Sequence, residues 1–117
     1  MEIVEKVKLE FREREVEIEA KIDTGADKTM FDEETLIKLG SPHMMNVAID
    51  FGGEKKEVKP IYFLEFLKIQ NHKIPAINVI GGKKNLIGHD ILQRTKAVID
   101  EGDGTVKFPD RDGVIEI

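Results

Sequence analysis

The 117-residue sequence predicts an all-β protein, a small, partly closed barrel of short strands with one or two short helices. Three observations carry that prediction. Apolar and charged residues alternate in several stretches, the pattern of strands with one buried face. The stretches are short and are separated by Gly, Pro, Asn and Asp. Only one segment, 32–39, carries the full punctuation of a helix. Many short strands around so little helix fit a barrel better than a layered α/β fold.

The elements follow in order. Val7, Leu9 and Phe11 alternate with charges, and 12–15 makes a polar turn. Val16, Ile18, Ala20 and Ile22 then alternate with Glu15, Glu17, Glu19 and Lys21, a half-buried strand that delivers the chain to Asp23 on the same side as Lys21. Asp32 suits a helix N-cap, Glu33 and Glu34 suit the first turn, and Gly40 suits the end. Strands at 47–51 and 58–64 flank a glycine-bearing hairpin tip, Gly52-Gly53-Glu54-Lys55-Lys56. A second hairpin turns at Asn71-His72, between strands 67–69 and 74–80. Gly81-Gly82-Lys83-Lys84 reads as a loop, 90–94 as one or two helical turns, and 97–99, 105–108 and 114–117 as closing strands.

The length suits one domain, 1–117. A net charge of −5 disfavours nucleic acid as a partner. The absence of cysteine excludes disulfides, thiolate metal sites and a cysteine nucleophile. Acidic residues interrupt the N-terminal stretch, so it does not read as a signal peptide. The longest apolar run, 61–67, contains Glu65 and is too short to cross a membrane. A cytoplasmic protein is the expectation. His43, His72 and His89 are scattered without metal-ligand spacing, and no metal or organic cofactor is expected.

The chemistry centres on Lys21-Ile22-Asp23-Thr24-Gly25-Ala26-Asp27. A carboxylate follows an apolar strand directly, then a small hydroxyl residue and a glycine. Gly25 lets the backbone approach a substrate or a second loop. The Thr24 hydroxyl can fix the loop through a hydrogen bond to backbone. Peptide hydrolysis by carboxylates needs two of them sharing a proton: the ionised one activates water and the protonated one hydrogen-bonds the scissile carbonyl. The chain has one Asp-Thr-Gly and no second copy. A two-fold axis supplies the partner from an identical chain, because an isologous interface brings a residue near its own copy.

Asp23-Thr24-Gly25-Ala26 resembles the catalytic loop of retroviral-type aspartic proteases, the retropepsin-like family. Asn85-Leu86-Ile87-Gly88-His89-Asp90-Ile91-Leu92 resembles their second signature, two apolar residues and a glycine opening a short helix. A glycine-tipped hairpin lies between the two, where that family has its flap. The resemblance spans about residues 16–99. It implies an aspartic endopeptidase acting on peptide or protein substrates as a homodimer, with the strand at 114–117 interleaved with the partner's. Asp23 is then catalytic, and Thr24, Gly25 and Ala26 support its loop. Lys21, Asp27, Ile49, Phe51, Gly52, Gly53 and Leu86 face substrate. Ile87, Gly88, His89 and Asp90 form the structural second signature.

Two positions depart from the family pattern. His89 stands where the family has an arginine pairing with the aspartate that matches Asp27, which implies a pH-sensitive contact in place of a permanent ion pair. Lys21 stands where viral relatives have an apolar residue. Simpler readings exist for each motif. Asp-Thr-Gly is also a turn former, Gly52-Gly53 an ordinary hairpin turn, and Gly81-Gly82 a plain loop without the helix N-terminus of a phosphate cradle. The alternative function is a non-proteolytic peptide-binding or dimerisation module on the same fold.

Overall fold

The computed structural model describes residues 2–50 and 56–109. Phe51, Gly52 and Gly53, expected as the flap tip, and the expected strand at 114–117 lie outside the described residues.

Strand β1 (Val4–Phe11) turns into β2 (Arg14–Ile22) through Arg12 and Glu13, both at positive φ, 48° and 64°. That left-handed pair is the backbone of the tight hairpin turns that match strand twist. Next come β3 (Met30–Asp32) and helix α1 (Glu33–Leu39). Asp32 caps α1 by accepting from Thr35 N–H at 3.1 Å, and Gly40 ends it at φ 90°, as their residue types dictate. Strands β4 (His43–Asp50), β5 (Lys56–Ile69), β6 (His72–Gly82) and β7 (Leu86–Ile87) follow, then helix α2 (His89–Arg94) and the small hairpin β8 (Val98–Asp100) and β9 (Thr105–Lys107).

The main sheet runs β1-β2-β7-β3-β6-β5-β4, and β1 also pairs with β5, so six of the strands close into a ring with β4 outside it. Every strand of the ring buries apolar side chains. Val7, Leu9, Leu64, Leu67, Ile69, Ile74, Val79 and Ile87 are almost completely buried there. Phe31 of β3, Leu36 of α1 and Ile91 of α2 join the same core. Each such side chain contributes roughly 1.5–3 kcal/mol of transfer free energy.

Several expectations are corrected. The strands predicted at 58–64 and 67–69 are one continuous β5, because its first half pairs with β4 while its second half pairs with β1, and β6 spans the junction. Gly81 and Gly82 are not loop. They end β6, paired in parallel with Phe31 and Asp32. A Cβ on Gly81 would lie 2.7 Å from the Tyr62 ring, and one on Gly82 2.5 Å from Met30 Sδ, so both glycines make room for neighbouring side chains. The second hairpin turns one residue earlier, at Gln70-Asn71, with Ile69 paired to His72. His72 is buried at the start of β6, and its Nε2 donates to the Pro109 carbonyl at 2.7 Å. Strands β3 and β7 were not anticipated at all.

The ring is thinnest at β7, where only two residues pair with β2 and one with β3. The loop that leaves β2 passes this seam.

Candidate active site

Residues of β2 alternate between core and solvent, with Ala20 and Ile22 buried and Lys21 exposed. Asp23 is the first residue beyond the strand and is half-buried. Its position is set from two directions. Its N–H continues the β2–β7 pairing to the Ile87 carbonyl at 2.9 Å. Its Oδ1 accepts the Gly25 N–H at 3.0 Å, and its carbonyl accepts the Ala26 N–H at 3.2 Å, which curls the loop back on itself. The carboxylate is therefore fixed in place by its own loop. Thr24 is exposed, and its hydroxyl forms no hydrogen bond within the described residues, so it does not fix the loop in the way its type suggested. A Cβ on Gly25 would start 3.4 Å from Asp23 Oδ1, so a side chain there would crowd the carboxylate.

The second signature locks the loop from behind. Gly88 is buried, and its N–H donates to Thr29 Oγ1 at 3.0 Å. A Cβ on Gly88 would fall 2.6 Å from the Lys28 carbonyl carbon and 2.9 Å from the Ala26 oxygen, so only glycine lets the two segments meet. Thr29, completely buried, donates its hydroxyl to Asp90 Oδ1 at 2.7 Å, and its N–H reaches both Asp90 oxygens. The His89 N–H donates to the Ala26 carbonyl at 2.7 Å, and the Asp90 N–H to the Asp27 carbonyl at 3.2 Å. Asn85 supports the front, its Oδ1 accepting from Asp32 N–H at 2.8 Å and its carbonyl accepting from Lys21 N–H.

These contacts correct the expected His89–Asp27 pair. Among the described residues no side-chain hydrogen bond or ion pair joins His89 to Asp27; the two segments meet through backbone. The locking carboxylate is Asp90, and its partner is Thr29. Thr29 was missed, and its only signal was a hydroxyl residue at the mouth of an apolar strand.

Asp23 borders two depressions. A cleft of about 790 Å³ is lined by Asp23, Gly25, Ala26, Asp27, Ile49 and Leu86, all anticipated from the sequence, and also by Met30, Ile80 and charged residues that were not. A smaller depression of about 410 Å³ is lined by Asp23 and Thr24 with Ile3, Ile22, Ile99 and Glu101, and Lys21 belongs here rather than to the larger cleft. Lys21 Nζ lies 3.5 Å from Glu2. Ile87 and Gly88 are buried behind the loop, and His89 is exposed at the start of α2.

A ring of strands closed by a two-residue β7, with an Asp-Thr-Gly loop locked against an apolar-apolar-Gly segment and a short helix, is the retropepsin-like fold. Among solved structures, the chain is similar to the retroviral protease-like domain of Ddi1 from Leishmania major, with a TM-score of 0.63 and 20% identity over 92% of this chain and 88% of that one. No family model matches the sequence, and no curated protein matches it. Among the described residues no helix is long and apolar enough to cross a membrane.

Proposed function

We propose that the protein is an aspartic endopeptidase in which two chains each contribute one Asp23. The observation that carries this reading is the placement of Asp23: a single carboxylate that accepts the Gly25 N–H, on a residue whose own N–H continues the β2–β7 pairing, at the border of a large cleft and a second depression. The cleft suits an extended peptide. The second depression, with exposed Thr24 beside it, suits the same loop of an identical chain. Exposed Val4 and Val98, 48% and 59% accessible, add apolar surface on strands whose neighbours line that depression.

In that arrangement two carboxylates about 3 Å apart cannot both ionise, so one proton is shared. The ionised carboxylate takes a proton from a bound water as its oxygen adds to the scissile carbonyl. The protonated carboxylate donates to the carbonyl oxygen. Collapse of the tetrahedral adduct then transfers a proton to the leaving amine, and no covalent bond to the protein forms. Gly25, lacking a side chain, leaves the carboxylates open to the water and the peptide.

The test is hydrolysis of unfolded casein or a peptide library with and without pepstatin, by the wild type and by Asp23→Asn. Pepstatin-sensitive cleavage that disappears in a folded Asp23→Asn variant is expected. Cleavage undiminished in Asp23→Asn would remove Asp23 from the chemistry.

A further inference from the structure

We propose that the cleft selects peptides with an apolar residue at the centre and acidic side chains on both sides of the scissile bond. This rests on the peptidase reading above and adds the substrate class to it.

The cleft has an apolar lining of Met30, Ile49, Ile80 and Leu86, with Met30 lying over side-chain-free Gly82. Charged residues share that lining. Lys28, Lys59, Lys83 and Lys84 border it together with Asp27, Asp50, Glu57 and Asp23 itself. Two of these four anions are occupied. Glu57 is paired with Lys59 at 3.3 Å, and Asp50 is engaged in a contact of its own. Among the described residues Lys28, Lys83 and Lys84 are in no ion pair and no hydrogen bond. All three are exposed, so their ammonium groups stay hydrated at the ends of long, flexible stems.

Three unpaired cations thus stand against Asp27 and Asp23, and a proton shared between two Asp23 reduces the anionic side further. A second copy of the chain repeats the three lysines across the two-fold axis. Both flanks of a bound peptide then meet them. The whole chain carries a net charge of −5, which opposes an acidic ligand at long range. Salt screens that field within about 8–10 Å, whereas a lysine in contact with a ligand carboxylate acts inside that distance. Contact therefore outweighs bulk charge at cellular salt. An exposed pair changes affinity by roughly 1.4- to five-fold, so three lysines engaged together multiply to an effect on the order of tenfold.

Three fluorogenic peptides sharing one apolar centre, flanked on both sides by Glu, Gln or Lys, test this. Cleavage by the wild type is read as kcat/KM at about 0.05 M and about 0.5 M salt. Binding to the Asp23→Asn variant is read by fluorescence anisotropy, which needs no catalysis. The Glu peptide is expected to lead the Gln peptide by about tenfold, with the Lys peptide last, and high salt is expected to compress the series. Lys28→Glu/Lys83→Glu/Lys84→Glu is expected to invert the order, and the corresponding triple Gln variant to flatten it. Preferential binding of the Glu peptide without cleavage of any peptide would keep this inference and remove the peptidase reading. Equal cleavage and binding of all three peptides, or an order that survives in both triple variants, overturns the inference and leaves the peptidase reading standing.

Discussion

Thr29 Oγ1 donates to Asp90 Oδ1 at 2.7 Å, tying the strand that follows the Asp23 loop to the first turn of α2 across 61 residues of sequence. The same oxygen accepts the Gly88 N–H, so one buried hydroxyl bridges both halves of the site. Thr29→Val keeps the shape and removes the bridge. It leaves the Gly88 N–H without its acceptor and strips one donor from the Asp90 carboxylate. A buried polar group left unpaired costs roughly 1–3 kcal/mol. The expected result is a loss of that size in urea unfolding, with Thr29→Ser retaining most of the wild-type stability. Equal stability of Thr29→Val and wild type would show that the bridge contributes nothing.

Gly88→Ala tests the close approach directly. The new methyl would lie within 3 Å of the Lys28 and Ala26 backbone, and backbone yields less readily than the end of a side chain. Overpacking of this kind costs about 1–3 kcal/mol. The Asp23 loop is expected to shift with it, so peptide cleavage should fall by more than the loss of folded protein explains. Full specific activity in Gly88→Ala would mean the loop tolerates the displacement.

The Tyr62 hydroxyl donates to Glu33 Oε2 at 2.8 Å and clips β5 to the start of α1. Burial first, and the neighbouring Glu33 second, push the phenol up to about 12. A folded-state value raised above the unfolded value of about 10 means that the stabilisation is complete below pH 10. It is lost as pH rises through 12. Tyr62→Phe is expected to flatten the fall in stability between these values, measured as the urea midpoint against pH. Parallel curves for the two proteins would count against the contact.

The sequence is legible where local chemistry dictates the element. Asp32 and Gly40 bracket α1 by capping rules that need no tertiary context, and alternation alone outlines β1 and β2. Asp23, Gly25, Gly88 and Leu86 were legible as a resemblance carried by two short motifs. Strands β3 and β7 were not, because three and two residues cannot display a period, and they exist only through pairing with β2 and β6. The continuity of β5 was hidden because Glu65 and Phe66 break its alternation where its partner changes from β4 to β1. The Thr29–Asp90 bridge and the lysine-lined cleft arise from residues far apart in the chain, so no local pattern announces them.

Subunit mixing tests the central claim most directly. Wild-type protein is held at a fixed concentration well above that needed for assembly, and folded Asp23→Asn chain is added and allowed to exchange before peptide cleavage is measured. If each active unit needs an Asp23 from two chains, random pairing leaves about half of the wild-type chains in active pairs at equal amounts, and about a tenth at ninefold excess. Activity is expected to fall to about those fractions. Activity that stays constant across the titration, in a wild-type protein that cleaves, would contradict the two-chain site.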